Sequence, residues 1–554
     1  MINDAFFALL QVNPLTGVPG HNSGLLLRTA HEAARRAAGH PLLCLAPELA
    51  LSGPVLETLP GQEGFLSLCR RELFELAAEL ANGPEMVLGC PEQIGSACFS
   101  SLFLLKGGKP TRLCTRPLEE STAYGLARRS DTGKNPSGSF IWQGAHFTVV
   151  PGPLRTAITV PQTDVLLIAD NEPFEPARLA AAERACSDIA RKNACKVLRV
   201  NTAGGQGSFV FPGGSLAADA EGGLRLRAGL WREAAALASF ASLDNPVQAA
   251  PAAHSSPAAQ AAPAAQAVPA APDSIDALGH ALILGIRDFV RKSGFSRVVL
   301  GMSGGIDSSL VACLAAEALG AENVTGLLMP SPWSSQGSLD DASALASNLG
   351  IASHVVPIEP LMKSYAETLA PLFAGRPKDI TEENIQARIR ANLLMACSNK
   401  FGSMLLSTGN KSESAMGYGT LYGDLAGSLA PIADVYKTDV YRVAAWFNAQ
   451  KQREIIPRNV FVKAPSAELK PGQKDQDSLP PYGMLDDCLR GLFEEGRVFA
   501  ETAGSDALGA AAFANVLERL RRSEFKRHQG APALFVSSCP LAFFRRPLPA
   551  VPIQ

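Results

Sequence analysis

The residues with the clearest chemical potential form one short glycine- and serine-rich segment, GMSGGIDSS at 301–309. A β-type apolar run at 297–300 precedes it, and an apolar pattern with helical spacing follows at 310–319. Glycine lets the backbone approach phosphate oxygens closely, and the start of a helix offers unpaired N–H groups. The serines add hydroxyl donors, and Asp307 offers a carboxylate to a Mg²⁺ ion that bridges phosphates. The segment predicts a phosphate site, and the competing interpretation is an ordinary Gly/Ser turn.

The same segment lacks the Gly-Lys-Ser/Thr pattern that cradles a γ-phosphate. It resembles the pyrophosphatase loop of enzymes that adenylylate a substrate and release pyrophosphate. The resemblance implies ATP as a substrate. The implied ATP-binding residues of the loop are Gly301, Met302, Ser303, Gly304, Gly305, Ile306, Asp307 and Ser308.

Composition limits the classes of protein to consider. The chain has 554 residues, which is enough for at least two domains, and 47% of them are apolar. The net charge of −2 points to neither nucleic acid nor an anionic membrane as a partner. No apolar run is long enough to span a bilayer, and the N-terminus has no basic leader. Eleven scattered cysteines without a Cys-x-x-Cys pair indicate a reducing cytoplasm and no zinc site.

One domain boundary is evident from composition. Residues 245–272 are almost entirely Ala, Pro, Gln and Ser. Prolines every few residues break helices, and such a segment cannot build a core, so we expect an extended linker. The alternative is a buried helical connector. The linker would separate an N-terminal domain at 1–240 from a C-terminal domain at 274–554.

The C-terminal half alternates predicted strands and helices. Strands are expected at 324–329, 354–358 and 404–408, and helices at 341–349 and 381–398. This order predicts an α/β domain with a doubly wound parallel sheet covered by helices on both faces. Ligands of such sheets bind beyond the carboxyl ends of the strands, where Ser303, Ser331 and Thr408 would lie.

Blocks near these strand ends resemble NAD⁺ synthetases, specifically the synthetase half of the two-domain, glutamine-dependent type. The resemblance covers about 274–540 and follows the family order. The matching blocks are MPSPWSS at 329–335, ENIQAR at 383–388, STGNKSE at 407–413, GYGTLYGD at 417–424, DVYKTD at 434–439, PSAEL at 465–469, DSLPPY at 477–482 and KRHQ at 526–529.

The resemblance implies a reaction. The nicotinate carboxylate of deamido-NAD⁺ attacks the α-phosphorus of ATP, pyrophosphate leaves with Mg²⁺, and ammonia attacks the acyl-adenylate to give NAD⁺ and AMP. The implied residues are Thr408 and Lys437 for ATP, Asn384, Arg388, Glu413 and Lys526 for deamido-NAD⁺, Asp307 and Glu413 for the metal, and Asp307 and Asp424 for catalysis.

Each of these residues has a plainer alternative role. Arg388 and Arg390 could form an exposed helix face, and Asp424 could cap a turn. Lys437 could face solvent, and Glu413 could cap a helix. Relatives of this type form large homo-oligomers, which is the expectation here.

The N-terminal half, from residue 6 to about 230, resembles a nitrilase-type glutaminase domain, for which the fold is a four-layer α-β-β-α sandwich. The matching segments are FALLQVNP at 7–14, LAPELALSG at 45–53, NTAGGQG at 201–207 and FPGGS at 211–215. The second segment carries the family's catalytic Glu, here Glu48. Gly207 stands where the family usually has Asp.

The glutaminase chemistry of that family needs a Glu base, a Lys that stabilises the oxyanion, and a Cys nucleophile. Here only Glu48 is evident. The segment expected to hold the Lys, 114–125, has no lysine, and Arg116 is its nearest cation. Pro151 occupies the nucleophile position, and residues that usually follow are missing. Cys114, Cys186 and Cys195 are expected to be ordinary buried thiols.

The sequence therefore predicts an ATP-dependent NAD⁺ synthetase with a degenerate glutaminase domain, using free ammonia or ammonia from another protein. The first alternative is glutamine use through an unrecognised nucleophile. A second class of hypothesis treats the N-terminal domain as a non-catalytic assembly or regulatory module. A wholly inactive scaffold is the remaining alternative, which the completeness of the synthetase motifs disfavours.

Overall fold

The chain folds into two compact units, 1–272 and 273–554. The computed structural model describes residues 2–118, 136–154, 158–244, 274–495 and 507–543. The predicted linker at 245–272 lies outside the described residues.

The first strand of the N-terminal unit is β1 (Phe6–Gln11), which is mostly buried. Next come α1 (Pro19–Arg36), β2 (Leu42–Leu45), α2 (Phe65–Glu79), β3 (Glu85–Ile94), β4 (Ala97–Lys106), β5 (Lys109–Pro117), β6 (Gly138–Trp142), β7 (Ala145–Pro151) and β8 (Val165–Ala169). The unit ends with α3 (Arg178–Asn193), β9 (Lys196–Val200), β10 (Ala203–Gln206), β11 (Phe209–Pro212), β12 (Leu216–Ala218), β13 (Leu224–Arg227) and β14 (Ala234–Ser239).

In the described part of the unit, twelve of these strands form two stacked six-stranded sheets, and β10 and β11 form a separate two-stranded sheet. One has the order β14-β1-β2-β3-β4-β5 and the other β13-β12-β9-β8-β7-β6. Aromatic and aliphatic side chains such as Phe7, Leu45, Phe147 and Leu198 fill the space between the sheets. Helices α1 and α2 pack outside the first sheet, and α3 packs outside the second. The predicted α-β-β-α sandwich is confirmed, and the family segments at 201–207 and 211–215 lie at the antiparallel pair β10–β11.

The C-terminal unit starts with α4 (Ser274–Lys292), β15 (Val298–Gly301), α5 (Ile306–Leu319), β16 (Val324–Leu328), α6 (Gln336–Leu349), β17 (Ala352–Val355), α7 (Glu359–Phe373), α8 (Ile380–Phe401) and β18 (Met404–Leu406). It continues with α9 (Lys411–Met416), α10 (Lys437–Gln450), α11 (Arg458–Val462), α12 (Tyr482–Phe493), α13 (Ala507–Arg522) and α14 (Glu524–Arg527).

A parallel sheet of order β17-β16-β15-β18 organises the described part of this unit. Helices α7 and α8 pack on the sheet face that carries Val299 and Leu405, and α5 and α6 also contact the sheet. The α/β prediction is confirmed. The prediction of a strand at 354–358 was misplaced. The observed strand, β17, runs from Ala352 to Val355.

Local signals explain where the two long helices begin. Ser335 caps α6 by accepting a hydrogen bond from the N–H of Ser338, so this helix starts before the predicted residue 341. Asp379 and Glu382 form a capping box at the start of α8, and Gly402 ends it in the left-handed conformation. Among the described helices, none combines the length and apolarity that crossing a membrane requires. None of the eleven cysteines forms a disulfide in the described structure.

Candidate active site

The predicted phosphate loop is the turn between β15 and α5. Its Gly304 has φ +75°, and a Cβ at this position would lie 2.2 Å from the carbonyl oxygen of Ser338. Only glycine satisfies both the positive φ and this close approach. The loop is thereby pressed against the first turn of α6, and its shape depends on that contact.

The loop serines bond mainly within the loop. The hydroxyls of Ser308 and Ser309 donate to the Gly305 carbonyl oxygen at 3.1 and 2.8 Å. The Ser303 hydroxyl accepts from the Gly305 N–H at 3.2 Å and faces the cavity described below. Gly304 and Ser308 shape the turn and do not line this cavity, and their predicted ATP contacts stay predictions.

Asp307, at the start of α5, is the centre of an ion network. Its Oδ2 lies 2.5 Å from Nζ of Lys437, and its Oδ1 accepts from the side-chain amide of Asn410 at 2.9 Å. Nζ of Lys437 also donates to Oε1 of Glu413 at 3.1 Å. The Lys437 side chain is 2% exposed, which excludes the solvent-facing alternative. Asp307, Glu413 and Lys437 come from three different predicted motif blocks, and the two carboxylates meet at the ammonium group of Lys437.

The electrostatics of this network are those of a crowded, desolvated site. Burial raises the pKa of Glu413 to about 7, against the opposing effect of Lys437, and the nearby Asp307 raises it further. Burial alone would lower the pKa of Lys437, but the two carboxylates beside it raise the pKa above its ordinary value. Lys437 therefore stays charged, while Glu413 changes charge near neutral pH.

A second group of predicted residues also lines the cavity. Asp424 accepts from the N–H of Thr420 at 2.8 Å, so it does cap a turn, and the Thr420 hydroxyl donates to Asn384 at 2.8 Å. The surface of Asp424 opens onto the cavity, yet the enclosing walls desolvate it and raise its pKa. Nζ of Lys526 donates to the carbonyl oxygens of Gly417 and Gly419 at 2.8 and 2.7 Å. Burial lowers the pKa of Lys526, and Asp424 opposes this effect.

The two arginines of α8 point differently. Arg388 is exposed and donates to the Leu421 carbonyl oxygen at 3.1 Å, and it does not line the cavity. Arg390 lines the cavity and donates to the Met329 carbonyl oxygen at 3.0 Å. Burial lowers the pKa of Arg390 to about 10. The predicted contact of Arg388 with deamido-NAD⁺ stays a prediction, with Arg390 as the arginine that faces the cavity.

The ion network around Lys437 and the group around Asp424 line one cavity of about 430 Å³. It lies beyond the carboxyl ends of the strands, as the parallel topology predicts. Its walls include most of the predicted residues: Gly301, Met302, Ser303, Gly305, Ile306, Asp307, Asn384, Thr408, Glu413, Asp424, Lys437 and Lys526.

The sequence analysis assigned no role to several residues of the site. Asn410 holds Asp307, and Asp475 accepts hydrogen bonds from the hydroxyls of Tyr418 and Tyr482. Asn410, Tyr418 and Tyr482 stand inside motif blocks that the sequence had marked, and that placement was the only signal for them. Lys463 and Glu468 bond Ser338 at 2.9 and 2.8 Å, which ties a further loop to the first turn of α6.

The donor set is compatible with Mg²⁺. This ion is usually held by one or two carboxylates together with substrate phosphates and water. Asp307 and Glu413 present two carboxylates that are 18% and 19% exposed toward the cavity, with Lys437 as their present counterion. Together with phosphate oxygens they would hold the ion, which would neutralise charge on departing pyrophosphate.

In the N-terminal unit, Glu48 lies after β2 and is fully buried. Its Oε1 accepts from Nε of Arg116 and from the hydroxyl of Ser100, both at 2.6 Å, and its Oε2 binds Nη2 of Arg116. Nη1 of the same arginine donates to the Gly152 carbonyl oxygen at 2.7 Å. Arg116 therefore links the base position to the end of β7.

The position that the sequence predicts for the nucleophile, Pro151, is the last residue of β7. The three candidate thiols, Cys114, Cys186 and Cys195, are buried as expected. Burial raises the pKa of Cys114 and Cys186 to about 12 and that of Cys195 to about 11. Thiols with such pKa values carry almost no thiolate near neutral pH.

The fold and the cavity define an α/β protein built from a nitrilase-type unit and a parallel-sheet unit whose cavity lies at a glycine- and serine-rich loop. The sequence model of the NAD synthase family matches residues 279–530. The glutamine-dependent NAD(+) synthetase of Synechocystis sp. is 37% identical over 556 residues, which cover 96% of each chain. The chain therefore belongs to the glutamine-dependent NAD(+) synthetase family, whose members are ligases.

Two further relatives agree. The glutamine-dependent NAD(+) synthetase of Thermotoga maritima is 57% identical over 258 residues, a match that spans 47% of this chain and 45% of that one. The structure of the Acinetobacter baumannii glutamine-dependent enzyme in complex with ADP covers 98% of this chain and 97% of its own, with a TM-score of 0.72 and 29% identity. These names do not support the prediction that the glutaminase is degenerate.

Proposed function

We propose that the chain amidates deamido-NAD⁺ to NAD⁺ with ATP, through an adenylylated intermediate, and releases AMP and pyrophosphate as the last step of NAD⁺ formation. The observation that carries this proposal is the convergence of Asp307, Glu413 and Lys437 on one cavity at the end of the parallel sheet. A carboxylate is a poor acyl donor, and adenylylation supplies its leaving group.

The residues of the cavity form two groups, one that binds ATP and one that binds deamido-NAD⁺. Lys437 carries an ammonium with three donors, two of which are used by Asp307 and Glu413, so one is available to a phosphate oxygen of ATP. The turn from Gly301 to Asp307 and the start of α5 receive the departing pyrophosphate. Thr408 lies beyond β18 and contacts ATP.

In the second group, Asn384 and Lys526 bind deamido-NAD⁺, and Asp424 accepts a proton from the incoming ammonia or contacts the substrate. Its raised pKa, which follows from desolvation, makes it a stronger base than an exposed aspartate. Arg390, the buried cavity arginine, is available to an anionic group of the dinucleotide.

We further propose that ammonia is the direct nitrogen donor. Amide hydrolysis in a nitrilase-type site needs a thiolate at the strand end, and Pro151 has no nucleophilic group. Arg116 is engaged on both oxygens of Glu48, and its planar fork directs its donors differently from a lysine. The proposed setting is a reducing cytoplasm, consistent with eleven cysteines outside disulfides, and the proposed assembly is a homo-oligomer.

Glutamine dependence is the second candidate, and the names of the relatives favour it. The purified chain should be given deamido-NAD⁺, ATP and Mg²⁺ with either ammonium or glutamine. We expect efficient NAD⁺ formation with ammonium only, and no cysteine in residues 1–230 labelled by a glutamine-like electrophile. Replacing Pro151 with Cys alone should not restore glutamine use, because the lysine is still absent.

Efficient turnover with glutamine would reject ammonia as the donor. If mutating Cys114, Cys186 or Cys195 then abolished that turnover, the nucleophile would be identified. Equal release of pyrophosphate with xanthosine monophosphate or aspartate in place of deamido-NAD⁺ would reject the substrate assignment itself.

A further inference from the structure

Tyr482, the first residue of α12, stands directly behind the active-site ion network. Its ring centroid lies 5.1 Å from Nζ of Lys437, within the range of a cation–π contact. Its hydroxyl lies 2.9 Å from Oδ2 of Asp475 and 3.4 Å from Oε1 of Glu413. Tyr482 itself does not line the cavity, so it acts on a substrate only through these neighbours.

Asp475 holds the hydroxyl of Tyr482 in place. The aspartate is 4% exposed, and its second oxygen accepts from the Tyr418 hydroxyl at 3.3 Å. A phenol has one proton to donate, and the shorter contact assigns it to Asp475. Fixing the hydroxyl fixes the ring plane, and the ring face is what Lys437 meets.

The same face of α12 also fixes the backbone of Lys437. Asp486, four residues after Tyr482, is 1% exposed and accepts from the Ser412 hydroxyl at 2.5 Å and from the Thr438 N–H at 2.8 Å. The Ser412 hydroxyl in turn accepts from the N–H of Lys437 at 2.9 Å. One helix therefore holds both the main chain and the side chain of this lysine.

We propose that Tyr482, anchored by Asp475, is a positioning residue that aims the ammonium of Lys437 at the phosphate oxygens of ATP. This inference rests on the proposed function. Two N–H groups of Lys437 are engaged by Asp307 and Glu413, and the ring below them limits how the ammonium can tilt. The third N–H is thereby held in one direction, which matters most when charge develops on the leaving pyrophosphate.

The test compares Tyr482→Phe, which keeps the ring and removes the anchored hydroxyl, with Tyr482→Leu, which removes both. Tyr365→Phe on α7 is the matched control, because Tyr365 is exposed and does not line the cavity. For each variant, kcat and KM for ATP and deamido-NAD⁺ are measured with saturating ammonium and Mg²⁺, together with single-turnover pyrophosphate release and the thermal unfolding midpoint.

We expect kcat and single-turnover pyrophosphate release to fall about tenfold for Tyr482→Phe and about a hundredfold for Tyr482→Leu, since small misplacements of catalytic groups have effects of this size. Both KM values should change less than about threefold, and Tyr365→Phe should match the wild type. A crystal structure of Tyr482→Leu should show Nζ of Lys437 displaced from Asp307.

Three results would overturn the inference. The first is a kcat for Tyr482→Phe within a factor of two of the wild type. The second is a loss that falls on KM alone or that the unfolded fraction explains, which would mean a structural role. The third is an unmoved Lys437 in Tyr482→Leu. Failure of the proposed function looks different, because the wild type itself would then form no NAD⁺.

Discussion

Arg116 donates hydrogen bonds to both carboxylate oxygens of Glu48 and also to the Gly152 carbonyl oxygen, the latter at 2.7 Å. Because Glu48 is fully buried, the guanidinium is the counterion that makes its charge tolerable there. Arg116 thereby joins the turn after β2, which holds Glu48, to the ends of β5 and β7.

This pair predicts a stability effect without an effect on ammonia chemistry. Arg116→Ala should lower the free energy of unfolding of the N-terminal unit by about 3 to 5 kcal/mol, because it leaves a buried charge without its partner. Glu48→Ala should leave ammonium-dependent turnover unchanged. Chemical denaturation and steady-state assays measure these effects.

The control for that experiment is Arg112→Ala, which breaks a pair with Glu92 in which the arginine is 49% exposed. It should change the unfolding free energy by less than about 1 kcal/mol. A loss of ammonium-dependent turnover in folded Glu48→Ala would show that the N-terminal site still takes part in catalysis.

Substitutions of two glycines, one in the phosphate loop and one in α6, test the shape of the loop. Gly304→Ala should destroy NAD⁺ formation, since the added Cβ would lie 2.2 Å from a backbone oxygen in a positive-φ conformation. Gly337→Ala, in the first turn of α6 and with open space around the new Cβ, should retain activity and stability. Nucleotide binding by calorimetry and turnover report both effects, and near-normal ATP binding in Gly304→Ala would contradict the account of the turn.

Asp307→Asn should reduce turnover by at least about a hundredfold while the fold persists, because it removes charge from the metal and ammonium site rather than from a core. Asp340→Asn, an exposed position on α6, is the control and should match the wild type. The measurement is turnover at saturating Mg²⁺, and a normal rate for Asp307→Asn would remove the carboxylate from the mechanism.

Glu172 predicts a pH dependence of stability in the N-terminal unit. Burial, and then the neighbouring Asp170, raise its pKa to about 7 from the ordinary 4.5, although Arg199 opposes the change. A raised carboxyl pKa means that the folded state binds the proton more tightly. The stabilising contribution is therefore full below pH 4.5 and is lost as the pH rises through 7.

The stability difference between wild type and Glu172→Gln isolates this effect, since other carboxyl groups are common to both. Between pH 4.5 and 8, the wild type should lose about 3 kcal/mol relative to the variant. Denaturation curves across this range provide the measurement. A constant difference would mean that the ion pair with Arg199 keeps Glu172 charged throughout.

The sequence alone determined the features that depend on contiguous residues. The turn at 301–309 was recognisable because a strand, glycines and a helix start are adjacent in the chain, and backbone preferences act locally. The alternation of strand and helix predicted the parallel sheet, and the topology then predicted that the site lies beyond its carboxyl ends. Cys114, Cys186 and Cys195 were predicted to be ordinary buried thiols because they lie outside the family's catalytic motif, and they are buried.

Only the tertiary structure decided which groups face one another. Asp307 and Lys437 are 130 residues apart and form a 2.5 Å contact, while Arg388 and Arg390 differ by two positions and lie on different sides of α8. Helix phase and the packing of α12 against α9 and α10 settle such contacts. Such contacts form when elements that are far apart in the chain pack together and bury their side chains. Local preferences of the chain do not determine which side chains then meet.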